Sequence, residues 1–216
     1  MTMMNHQLEQ SSGPAERPNR ATGWIVAGAV AMVSIGVGLA LPDATSDPGA
    51  MTHYMGLLTD NQPWNLLLFM AVPVLLAETL VITELVILFT QGYPPRWVRG
   101  LSRVAGLIAG PWFLAITTYL LANAVLPLTT GSGWNGPADV IAVTAYLAGV
   151  VPLVGITLME LGVLGRGSQR DWMRLHATFV AVFLVAAHVA MIVGMLDPAL
   201  LGWDPADSMH IGHSGS

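Results

Sequence analysis

An all-α integral membrane protein, a bundle of five transmembrane helices with the N-terminus inside and the C-terminus outside, is the fold class the sequence predicts. Three observations predict it. The 216 residues contain five long apolar runs, each close to the roughly 20 residues a helix needs to cross about 30 Å of hydrocarbon. All eight basic residues are arginines in three clusters, Arg17 and Arg20, then Arg96, Arg99 and Arg103, then Arg166, Arg170 and Arg174. The other connections carry aspartates and no basic residue, and excess arginine marks the cytoplasmic side of a membrane protein. Finally, Trp24, Trp97 and Trp172 fall at inner ends of runs and Trp64, Trp134 and Trp203 at outer ends, as an aromatic belt requires. Trp112 departs from that pattern.

The first run, 24–41, follows a segment of 22 residues rich in Gln, Ser and Pro, expected to be a disordered cytoplasmic N-terminus. Two arginines, an apolar stretch and Gly38-Leu39-Ala40 also resemble a cleavable signal peptide. The stretch is about 18 residues against roughly 7 to 15 for such a signal, so a retained anchor is expected. An outer loop then leads into the second run, 64–89, with Asp60 or Asn61 as the expected helix cap. Pro73 in this run and Pro152 in the fourth each remove a backbone hydrogen bond and favour a kink.

The third run, 104–126, carries Gly106 and Gly110 in a GxxxG spacing, and Gly149, Gly155 and Gly162 punctuate the fourth, 140–164. Close helix contacts are expected at these glycines. The fifth run, 175–196, ends a transmembrane domain of residues 23–196, and 197–216 form an outer-side tail. Helices rather than a β-barrel are expected, because barrel strands are shorter and alternate in polarity. The composition, 54% hydrophobic and 10% charged, fits one polytopic membrane domain. The net charge of −5 gives no reason to expect nucleic acid. Asp43, Asp47, Asp60, Asp139, Asp197, Asp204 and Asp207 make the outer face acidic. Without cysteine the chain has no disulfide, thiolate metal site, iron–sulfur cluster or covalently attached haem.

Ionisable groups at lipid depth carry the functional signal, because a charge at the bilayer centre costs at least about 2.5 to 3.5 kcal/mol on insertion scales. Glu78 and Glu84 in the second run, Glu160 in the fourth, and His176 and His188 in the fifth qualify. At about 1.5 Å per residue from the inner ends, Glu84, Glu160 and His176 fall in the inner third. Glu78 and His188 fall together at roughly 18 to 21 Å, where neither reaches water. A Glu78–His188 pair is therefore expected, with Thr117 and Thr118 at similar depth, above an inner layer that snorkelling and ion pairing with Arg166 also explain. Glu78 and Glu84 are about 120° apart around their helix, so they succeed one another along a path without sharing a face. Together these five groups suggest a proton or cation relay.

Two other readings stand beside that one. A b-type haem carrier, or a quinone-linked membrane subunit, would use transmembrane histidine. His176 and His188 lie about 18 Å and about 120° apart, so they cannot share one haem. A single haem on His188 would take its second ligand from the loop Met51-Thr52-His53-Tyr54-Met55. Copper handling on the outer side would use Met51, His53 and Met55, or His210 and His213 of the tail, since imidazole with thioether suits that metal. No phosphate loop, dinucleotide fingerprint, His-Glu-x-x-His or Gly-x-Ser-x-Gly occurs, so an enzyme is not expected.

The stretch Gly56-Leu57-Leu58-Thr59-Asp60-Asn61-Gln62-Pro63-Trp64-Asn65, continuing through Glu78 and Glu84, resembles part of small bacterial multi-pass proteins that carry an uncharacterised or permease-like label. The resemblance covers 56–85 and implies no substrate and no functional residue. The expectation is a small permease, or a proton- or cation-linked subunit, in a bacterial inner membrane, partnered by lipid and by its own copies or a larger complex. Five spans cannot divide into equal inverted halves, and no cofactor is required.

Overall fold

Where side chains are apolar on every face, the backbone is the polar part of the segment, and in hydrocarbon a helix satisfies it from within. The computed structural model describes residues 20–43, 49–91, 93–131, 133–165 and 167–203, and no strand occurs among them. Five helices are long and apolar enough to cross a membrane: α1 (Arg20–Ala40), α3 (Trp64–Phe89), α4 (Arg96–Thr130), α5 (Gly136–Glu160) and α6 (Gln169–Gly194). A short helix, α2 (His53–Thr59), precedes α3. Helices α3, α4, α5 and α6 close a ring in that order, α1 lies outside it against α4, and α2 packs on α3, α5 and α6. Arg96, Arg99, Arg103, Arg170 and Arg174 share one end, called here the arginine end, and α2 lies at the other.

The helix limits differ from the apolar runs for local reasons. α4 begins eight residues early because its first turns are amphipathic, with Val98 and Ser102 buried and Trp97 and Leu101 exposed. α5 stops at Glu160 rather than 164. Gly162 there has a φ of +71°, and the Gly162 and Val163 amides donate to the Met159 and Leu158 carbonyls at 3.0 and 2.9 Å. This is the Schellman arrangement, for which glycine is favoured at the left-handed residue. Gly162 therefore ends the helix instead of packing within it. α6 starts on a capping box between Ser168 and Asp171. Asp60 is not the cap of α3: it closes α2, while Pro63 precedes α3 without a side-chain cap.

Both prolines that follow π-turns have an accounting consequence. In α3 a π-turn over Leu67–Ala71 sends the Val72 amide to Leu67 O, and Pro73 has no amide to give. Leu68 and Phe69 thereby lose donors from their own helix. Trp112 Nε1–H donates to Leu68 O at 3.2 Å, and the buried Tyr146 hydroxyl donates to Phe69 O at 2.5 Å. Trp112 thus ties α4 to α3, which accounts for its place outside the aromatic belt. Tyr146, Phe113 and Phe183 form an aromatic layer across the middle of the ring, with centroids 5.0 Å and 5.7 Å apart.

The expected contact at Gly106 and Gly110 is present between α4 and α5. The Thr157 hydroxyl donates to Gly106 O at 2.6 Å and accepts the Gly110 amide at 3.1 Å, straddling one rung of the α4 ladder. A Cβ on Gly110 would collide with that hydroxyl and lie 2.9 Å from Leu153 O. Gly149 and Gly155 make the same kind of room for Phe183 and Phe179 of α6. Gly110→Ala is expected to lower the melting temperature in detergent, in line with the roughly 1–3 kcal/mol cost of overpacking. Gly28→Ala, where a Cβ meets nothing within 4 Å, leaves it unchanged or higher. Equal melting of the two variants would contradict this packing.

Candidate functional site

Near the arginine end, α3, α5 and α6 each direct one ionisable side chain to a common point. α3 supplies Glu84, α5 supplies Glu160 at its last residue, and α6 supplies His176 two turns after its cap. Nδ1 of His176 lies 3.1 Å from Glu84 Oε2, and Nε2 lies 3.8 Å from Glu160 Oε1. The side chains of His176, Glu84 and Glu160 are 0%, 5% and 10% exposed, so Glu160 is the member nearest water. Trp172, one turn before His176, stacks on the imidazole with centroids 5.0 Å apart and planes 20° apart. Gly106 lets α4 approach so closely that a Cβ there would lie 3.1 Å from Glu160 Cγ. Arg103 acts electrostatically on Glu160, as do His176 and Glu84.

Neither imidazole–carboxylate contact has hydrogen-bond geometry. Both nitrogens of His176 and both oxygens of Glu84 are buried without a hydrogen-bond partner among the described residues. Buried polar groups are almost always paired, so this cluster holds unused capacity for a proton or a small polar guest.

The expected mid-depth pair does not form. Glu78 and His188 are both exposed on the outside of the ring, and His188 Nδ1 contacts Leu184 O of its own helix at 2.7 Å. Two reasons follow from helix geometry. Each lies about 120° around its helix from the buried Glu84 or His176, and counting from the Glu84–His176 contact puts Glu78 about 9 Å and His188 about 18 Å toward α2. The depths are thus unequal, because α6 starts six residues before the apolar run does. Thr118 donates to Leu114 O of its own helix at 2.8 Å, and Thr117 Oγ1 is buried without a partner among the described residues.

A second polar assembly, which depth counting did not reveal, lies at the α2 end. Asp139, expected on the solvated outer face, is fully buried in the first turn of α5. Its carboxylate accepts the His53 amide at 2.7 Å and the Asn135 amide at 3.1 Å, and its Oδ2 lies 2.5 Å from His53 Nδ1. The Thr52 hydroxyl caps α2 and donates to Gly194 O at 2.6 Å, tying α2 to α6. His53 borders a cavity of about 410 Å³. Tyr54 and Tyr146 line the same cavity, and burial pushes the Tyr54 phenol up to about 12. The expected Met51–His53–Met55 copper set does not assemble. His53 and Met55 lie two residues apart on a helix and so point to opposite sides, Met55 packs on the core, and Met51 is exposed. His210 and His213 lie outside the described residues. The haem reading finds no support either, since His176 has both nitrogens against carboxylates and His188 faces outward.

A family model described as "Family of unknown function (DUF6803)" matches residues 49–210, from just before α2 through α6. It includes the stretch 56–85 and attaches no permease label to it. No curated protein and no solved structure matches the chain.

Trp172 makes the cluster observable, because imidazolium quenches a stacked indole where neutral imidazole does so weakly. Intrinsic fluorescence is expected to titrate with pH in the native protein and to lose that step in His176→Ala and in Trp172→Phe. Glu84→Gln is expected to move its midpoint. A step that survives in His176→Ala would show that another group produces it.

Proposed function

The chain belongs to DUF6803, a family of unknown function, and from its buried site we propose that it is a proton-linked membrane protein whose proton-binding unit is Glu84, His176 and Glu160. The arginine clusters support placing the arginine end on the cytoplasmic side of a bacterial inner membrane. The observation that carries the reading is the convergence of two carboxyl groups on opposite nitrogens of one wholly buried imidazole, without hydrogen bonds to hold them. A purely structural polar cluster would be satisfied, since a half-satisfied network is less stable than apolar packing.

The geometry suits stepwise transfer. Glu160, the most exposed of the three and within the field of Arg103, exchanges protons with the arginine side. Its proton passes to Nε2 of His176, and the ring releases another from Nδ1 to Glu84, as a two-nitrogen ring allows. The layer of Phe113, Tyr146 and Phe183 separates the cluster from the cavity at the α2 end. Proton exchange in this state is therefore one-sided, as alternating access demands of any single state.

In reconstituted vesicles carrying a pH-sensitive dye, the native protein is expected to dissipate an imposed pH gradient. Glu84→Gln slows this at least tenfold, while Glu78→Gln, on the outer surface of the ring, does not. Glu84→Gln vesicles that match the native rate, with the variant folded by its melting curve, would overturn the proposal.

A further inference from the structure

At the α2 end of the ring, far from the proton-binding cluster, one cavity combines ring-sized space with a fixed imidazole. Its volume of about 410 Å³ falls within the roughly 300 to 1,000 Å³ of small-molecule sites. The walls are largely apolar, with Leu57, Leu120 and Val143 beside the rings of Tyr54 and Tyr146. Of these two phenols, Tyr146 already donates to Phe69 O.

His53 supplies the chemistry. Its Nδ1 faces Asp139 Oδ2 at 2.5 Å, and Asp139 is fully buried and accepts two backbone amides. A carboxylate so placed holds the proton on Nδ1, which in the neutral ring leaves Nε2 as a lone-pair acceptor. Trp134 meets the imidazole edge-on, with centroids 6.3 Å apart, so the ring is held in orientation from two directions.

α4 brings a break in its own hydrogen-bond ladder beside the cavity. α4 contains its own π-turn, Leu121–Val125, in which the Leu126 amide goes to Leu121 O. Pro127 follows, so the Ala122 carbonyl receives no donor from its own helix. In the matching π-turn of α3 the corresponding carbonyl takes Trp112 as donor. In α4 the turn runs along the cavity, with Leu120, Asn123, Ala124 and Pro127 all lining it. π-turns within α-helices are frequent at functional sites.

We propose that this cavity is a binding site for a lipid-soluble phenol or quinol, whose hydroxyl donates to Nε2 of His53. An apolar ring fills the space, and its hydroxyl answers the acceptor nitrogen of His53. A quinone or other carbonyl compound of the same shape lacks the proton that Nε2 accepts. Because the aromatic layer separates this cavity from Glu84, His176 and Glu160, the site stands or falls independently of proton exchange there.

The test uses the purified full chain in detergent, kept anaerobic, with tetramethylhydroquinone as probe and its dimethyl ether as the control without donors. Trp134 is the reporter. Saturable quenching by the hydroquinone is expected, absent in Trp134→Phe and at least tenfold weaker in affinity in His53→Ala. Ala124→Phe, which fills the cavity and leaves the His53–Asp139 contact in place, is expected to abolish it even if His53→Ala does not fold. The dimethyl ether binds at least tenfold more weakly. Equal affinity for the ether, unchanged affinity in a folded His53→Ala, or quenching that survives in Ala124→Phe would each overturn the proposal. Quenching that never saturates would do so too, since it would report partition into the micelle.

Discussion

The approach of α4 to α5 at Gly106 and Gly110 is the contact on which the rest of this bundle depends. Without side chains at those positions, Thr157 inserts its hydroxyl against the α4 backbone, bonding Gly106 O and the Gly110 amide. In hydrocarbon such a bond competes with no water, and small residues allow the dispersion contact that replaces the hydrophobic effect between helices. One turn beyond Thr157 the Schellman motif ends α5, leaving Glu160 as its last helical residue, packed on Gly106. The chain then returns through the capping box of Ser168 and Asp171, and α6 delivers His176 between Glu160 and Glu84. The ionisable cluster is thus a consequence of where two glycines let helices touch and where a third one stops a helix.

A second device recurs at the other end. Each π-turn is followed by a proline, and the pair takes two donors from the helix instead of one. In α3 the deficit is met by side chains of two other helices, Trp112 of α4 and Tyr146 of α5, so that the defect becomes a tie across the ring. In α4 the same defect borders a cavity. The same backbone break thus lies under a cross-ring tie in α3 and beside a cavity in α4. α2 closes that end through Thr52 on α6 and His53 on α5, which makes a segment of seven residues a structural lid rather than a loose loop.

The sequence made the spans legible because about 20 apolar residues have few alternatives in a membrane. The inner layer of Glu84, Glu160 and His176 was legible as well, since depth follows from counting along a helix. What counting cannot supply is direction. These helices are apolar on most faces, so no polar stripe tells which side meets the ring. The 120° separations of Glu78 from Glu84 and of His188 from His176 put the members of each pair on different faces, but did not tell which face meets the ring. Depth itself shifted for His188 because α6 continues through polar residues below its apolar run. The His53–Asp139 contact joins positions 86 apart, with no local pattern connecting them, and Asp139 looked like one more acid on an acidic face. Trp112 carried a signal, its wrong depth for a belt, that only the π-turn of α3 explains.

The central claim is that the carboxyl groups around His176 change protonation, and infrared difference spectroscopy across a pH step reads this most directly. A carboxyl carbonyl stretch is expected to appear or vanish with pH in the native protein, with one component removed by Glu84→Gln and another by Glu160→Gln, while Glu78→Gln leaves both in place. A difference spectrum without any carboxyl band, or one that both inner variants leave unchanged, would contradict the account and reduce the cluster to a packing feature.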